Sequence, residues 1–126
     1  MGLSREDIEA LPLCELDGLV AALEGIQVVG IYAGQCKIVD THADQIIVYS
    51  PTNDTSLAVD FIEREKIALV WLDNEWRAFT KNGNAYKVSA YLQNSYIDVA
   101  DDIDYDGRGQ TMLIAAMRAY VLSKQE

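Results

Sequence analysis

The chain has 126 residues, half of them apolar, with two prolines and a formal net charge of −10, which fits one domain spanning residues 1–126 around a single core and excludes a long disordered chain. No apolar run approaches the ~18 to 20 residues of a membrane-spanning helix, and residues 1–7 lack the basic-then-apolar pattern of a secretory signal, so the expected compartment is the cytoplasm. Surplus negative charge repels phosphate backbones, so direct nucleic-acid binding is not expected and a protein partner with a basic surface is the easier case.

In chain order, Ser4 followed by Asp7 is a capping pair that predicts a short first helix ending near Pro12. Over residues 13–24 the apolar Leu16, Leu19, Val20 and Leu23 recur at helical spacing, and Gly25 is placed to end that second helix. Residues 26–32 and 36–40 are β-rich and separated by Ala33-Gly34-Gln35, which predicts a hairpin. Residues 45–49 form another candidate strand. The run from Ser50 to Thr55 carries Pro51 and small polar residues that bond their own backbone, so it reads as an ordered loop before a short helix over 57–66. Residues 67–72, 76–80 and 85–93 alternate with turn chemistry and predict a three-stranded meander. An acidic stretch, 98–109, precedes a last helix over 111–124 whose stripe is Leu113, Ala116, Met117, Tyr120 and Val121. Strands joined by hairpins with helices at the two ends give an α+β fold: an antiparallel sheet, hairpin plus three-stranded meander, packed with N-terminal and C-terminal helices.

The chemistry-bearing residues are few. Cys14 and Cys36 are distant in sequence and have only His42 as a companion, which fits two reduced thiols better than zinc or a disulfide. His42 sits in a polar loop and reads as a surface residue. No nucleophile has a recognisable context, so no catalytic residue is assigned and a non-enzyme is expected. Asp102, Asp104 and Asp106 with Gly107 match the first half of a calcium loop, but Leu113 stands where the bidentate Glu belongs, so a solvated acidic loop is favoured over a calcium or magnesium site and no cofactor is expected. With Asp98 and Asp101 these make five acids in nine residues without a base. Such a run either presents negative charge to a basic groove or keeps a strand edge from aggregating.

Three segments read in order resemble the NinX-like family of phage and prophage proteins. Leu16 to Gly25 is similar to an early L-D-x-x-V-A-x-x-E-G helix. Tyr49 to Asp54, with Phe61 to Glu65 downstream, is similar to a Y-S-P-S-T-D loop leading to I-I-E-R-E. Gly109 to Arg118 is similar to G-x-T-x-L-I-A-A-M-R. Between Asp54 and Phe61 the chain departs from the family's W-x-Q-G-G-P pattern, and the segment over 82–106 is longer than in typical members. The resemblance implies a phage setting, a bacterial host cell and no assigned molecular function. Together with the missing catalytic motifs it points to an accessory protein that binds a host or phage protein, a host defence or nucleic-acid-processing factor among them. Two other readings stand beside it. One is a small-ligand binder or enzyme using Tyr49, Asp54, Glu63, Arg64 and Arg118, in which the arginines either brace the Asp54 loop or line a small-anion pocket. The other is a structural or assembly component, which requires self-association. The sequence leaves the oligomeric state open.

Overall fold

The structure, a computed structural model, describes residues 2–81, 85 and 104–125. Local chemistry sets its first elements. The Ser4 hydroxyl accepts from the Asp7 N–H and the Asp7 carboxylate from the Ser4 N–H, a reciprocal capping box that starts α1 (Arg5–Glu9). Pro12 then occupies the N-cap of α2 (Leu13–Leu23), and Gly25, at φ +74°, allows the left-handed turn that follows the helix. The buried face of α2 is Leu16, Asp17, Val20 and Ala21. Leu23, placed on the core stripe by sequence spacing, is 40% exposed, while Asp17 is buried on the core-facing side.

Strands β1 (Val28–Tyr32), β2 (Gln35–Asp40) and β3 (Gln45–Val48) form one antiparallel sheet in that order. Tyr32 pairs with Gln35, so the first hairpin turns on Ala33 and Gly34, both with positive φ, the geometry of a type I′ turn that matches strand twist. The Asp40 carboxylate accepts from the His42 and Ala43 N–H groups and closes the second turn. Asp54 caps α3 (Thr55–Arg64) through the Leu57 N–H.

Strands β4 (Ala68–Leu72) and β5 (Glu75–Phe79) turn on Asp73 and Asn74, again with positive φ at both. The strand paired with the far side of β5 is β6 (Gly107–Gly109). The third meander strand expected over 85–93 lies outside the described residues except for Ala85, which is helical; its N–H donates to the Thr80 carbonyl, carrying the chain off the end of β5. The last helix, α4 (Met112–Ser123), is capped by Thr111. Its small residues let β6 come close: a Cβ on Gly107 would lie 2.4 Å from the Ala119 nitrogen and 2.5 Å from the Ala115 oxygen, so only glycine fits at that crossing.

The core gathers Leu16 and Val20 of α2, Cys36 and Ile38 of β2, Ala58 and Phe61 of α3 and the buried face of α4 around Met117 and Tyr120. A smaller cluster, Val70, Phe79 and Ala85 with Tyr105 against it, covers the other side of the second sheet. The arrangement is α+β, with antiparallel sheets and helices at both ends of the chain, as the patterning predicts. Among the described residues no helix is long and apolar enough to cross a membrane.

Candidate functional site

The residues singled out in sequence separate into two polar clusters and one apolar face. The first cluster ties α2, α3 and α4 together. Arg64 makes a fork to Glu24, with both terminal nitrogens 2.8 Å from the carboxylate oxygens, and its Nε donates to Glu65 at 3.0 Å. Lys124 donates to the second Glu65 oxygen at 3.0 Å, and the Tyr120 hydroxyl donates to Glu24. Burial alone would raise the Glu24 and Glu65 carboxyls, but the hydrogen bonds from Arg64 and Tyr120 to Glu24, and from Lys124 and Arg64 to Glu65, outweigh it and hold both below the usual range. Phe61 meets the Tyr120 ring edge-on at 5.0 Å, beneath Arg64.

Beside that cluster, Tyr49 is buried and its hydroxyl has no hydrogen-bond partner. Its pKa is pushed up by burial and by the nearby Glu24 and Asp17 carboxylates. The loop from Ser50 to Asp54 hangs from Asp17, which accepts from the Thr52 N–H and hydroxyl, both at 3.1 Å, and from the Ser50 hydroxyl at 3.2 Å. Burial raises the Asp17 carboxyl and these bonds only partly offset it. Asp54 is exposed and used as a helix cap, and Glu63 is exposed on α3.

Arg118 enters a second cluster. Its terminal nitrogens donate to the Arg108 carbonyl at 2.9 Å and the Glu9 carbonyl at 3.4 Å, holding α4 against β6 and the end of α1. Arg118 borders a cleft of about 430 Å³ together with Leu13, Asn74, Glu75, Arg108, Gln110 and Ile114. The end of the acidic stretch is anchored alongside: Tyr105 lies under the guanidinium of Arg5 at 4.3 Å, with Arg77 and Arg108 at 5.3 and 5.5 Å, and Asp106 accepts from the Thr80 N–H at 2.8 Å and its hydroxyl at 3.3 Å. Asp98, Asp101 and Asp102 lie outside the described residues, and Asp104 is exposed. Among the described residues no group of three His, Cys, Asp or Glu side chains converges as a metal site. Both cysteines are free.

The apolar face is on the first sheet. Residues paired across an antiparallel ladder share a face, and the register sets Val48 beside Lys37 and Ile46 beside Val39. Ile46 is 61% exposed and Val48 43%, while Tyr32 at the end of β1 is 57% exposed. On the other face Ile31 borders a shallow apolar hollow of about 450 Å³ with Leu3, Leu11, Leu19 and Val28. Sequence reading gives residues 45–49 as a strand but not its openness. The signal for it is the uncharged run Gln45-Ile46-Ile47-Val48, which lacks the Lys or Pro that commonly blunts an edge strand. Asp17 also carried a signal, an acid at a core-facing position of an apolar helix.

The family model described as Bacteriophage P22, NinX matches residues 10–124. No individual curated protein matches the chain.

Proposed function

The chain belongs to the phage NinX family, and from that premise we propose that this phage accessory protein is a non-catalytic binding module that takes another protein on the exposed face of β1, β2 and β3. The observation that carries this reading is the clustering of Tyr32, Ile46 and Val48 on one sheet, each more than 40% exposed. Single exposed apolar residues need no explanation, whereas a group on one face marks an interaction surface. Edge strand β3 adds to it. Among the described residues its Gln45–Val48 backbone pairs with β2 on one side only, the arrangement that strand addition uses. The net charge of −10 favours a partner whose surface around the apolar contact is basic, because opposite charge steers the encounter.

The test pairs capture with a surface variant. Tagged protein and its Ile46→Thr/Val48→Thr variant, checked for unchanged fold by circular dichroism, are incubated with host lysate at low and high salt. A stoichiometric protein captured by the parent, lost on the variant and weakened by salt supports both the face and the charge. Equal capture by the two forms moves the binding surface elsewhere, and capture of nothing by either form counts against a host protein partner.

A further inference from the structure

The cleft beside Arg118 is on a different part of the molecule from the β1–β3 face and carries an independent argument. Glu9 supplies its carboxylate to Arg108 at 2.8 Å, and Glu75 supplies its own to Arg77 at 3.1 Å and lies 3.9 Å from Arg108. Both nearby acids are therefore engaged by other arginines. Arg118 is partly buried, and among the described residues its hydrogen bonds go to the neutral carbonyls of Arg108 and Glu9. Its Nε is buried without an acceptor. A guanidinium withdrawn from water normally has a carboxylate or another anion against it, because desolvating an uncompensated charge is costly. Among the described residues no side chain hydrogen-bonds Arg118, and the Glu9 carboxylate, which acts on it through space, is itself bonded to Arg108.

We propose that the cleft is a binding site for the terminal oxyanion, phosphate or carboxylate, of a small molecule. Each terminal nitrogen of Arg118 carries a second hydrogen beyond the one bond it makes, and the Arg108 side chain is 45% exposed at the same wall. Two arginines lining one concavity suit planar or tetrahedral oxyanions, which accept more than one N–H at once. The rest of the wall fits a small body attached to that anion. Leu13 and Ile114 offer apolar contact, Asn74 and Gln110 offer amide donors and acceptors, and the Glu75 carboxylate, also on the wall, is neutralised by Arg77. At about 430 Å³ the cleft is in the size range of small-molecule sites.

The probes are inorganic phosphate and acetate, added separately to the ¹⁵N-labelled full chain at constant ionic strength with chloride as the balancing ion. The Arg118 Nε–Hε signal and the Gly109 and Gln110 amides are followed by NMR. A saturable shift of these signals is expected with at least one anion: phosphate alone assigns a phosphate ligand, acetate alone a carboxylate, and both a general oxyanion seat. The Gln110→Glu variant alters an exposed residue, leaves the Arg118 bonds in place and sets a negative charge at the rim, so it should weaken the apparent affinity by about tenfold or more. Non-saturating shifts with both anions, or equal affinity in Gln110→Glu, would overturn the proposal.

Discussion

At the scale of single residues, two side chains in the family-like segments act through burial. Asp17 is an acid 3% exposed, and its oxygens take three donors from the Ser50–Thr52 turn. Removing the carboxylate in Asp17→Ala strands the Thr52 N–H in the interior, and chemical denaturation should report a loss of about 2 to 3 kcal/mol. Asp17→Asn keeps one carbonyl for that N–H, and the Ser50 and Thr52 hydroxyls can turn to accept, so it should lose much less. Equal losses in the two variants would mean that packing, and not the hydrogen bonds, holds the loop. Tyr49 is the opposite case, because its hydroxyl is buried without a partner. Tyr49→Phe removes a desolvated polar group and keeps the ring, so stability should be unchanged or rise by up to about 1 kcal/mol. A clear destabilisation in the same denaturation experiment would show that the hydroxyl makes a bond in solution.

Secondary-structure elements were legible wherever the chain's local chemistry decides them. The Ser4 capping box, the Gly25 stop and the Ala33-Gly34 and Asp73-Asn74 turns are all short-range devices, and each is visible in a few consecutive residues. β6 was not legible, because Gly107-Arg108-Gly109 has no β-propensity and becomes a strand only through its pairing with Ala78, Arg77 and Trp76. What sequence reading took as the tail of an acidic loop is a strand pressed onto α4. Its glycines therefore differ in kind from those in turns. Gly107→Ala would drive a methyl into the backbone of Ala115 and Ala119 and should cost about 3 kcal/mol or more by forcing β6 from the helix. Gly34→Ala meets nothing within 4 Å but keeps a φ of +72°, so it should cost only about 1 to 2 kcal/mol of backbone strain. Urea denaturation of the pair separates the mechanisms, and similar values for both would deny the close strand-helix crossing. The candidate site followed the same divide. Arg64 and Arg118 were identified as interesting residues, yet their different partners, Glu24 at the C-cap of α2 and the carbonyls of Glu9 and Arg108, depend on how distant elements pack, which no local pattern records.

For the whole molecule, the Glu24, Arg64, Glu65, Lys124 and Tyr120 cluster joins α2, α3 and α4 and gives folding a defined response to acid. Burial opposes ionisation of Glu24 and Glu65, yet the hydrogen bonds to Arg64, Tyr120 and Lys124 prevail and depress both folded-state values below 4.5. A depressed carboxyl contributes stability that is present above its unfolded value and lost as pH falls through its folded value. Asp17 has the reverse sign. Its folded value is raised above 3.8 by burial, so its contribution is full at low pH and fades as pH rises through that raised value. Glu24→Gln should therefore lower stability at pH 7, where it breaks the ionic fork to Arg64, and make the fall in stability between about pH 4.5 and 2.5 shallower than in the parent. Asp17→Asn should make the same fall steeper, since it removes a carboxyl whose contribution grows in acid. Unfolding free energies measured by urea at several pH values read both slopes. Parallel curves for Glu24→Gln and the parent would place the acid sensitivity outside the three-helix cluster, and a shallower curve for Asp17→Asn would contradict the burial-driven sign assigned to that carboxylate.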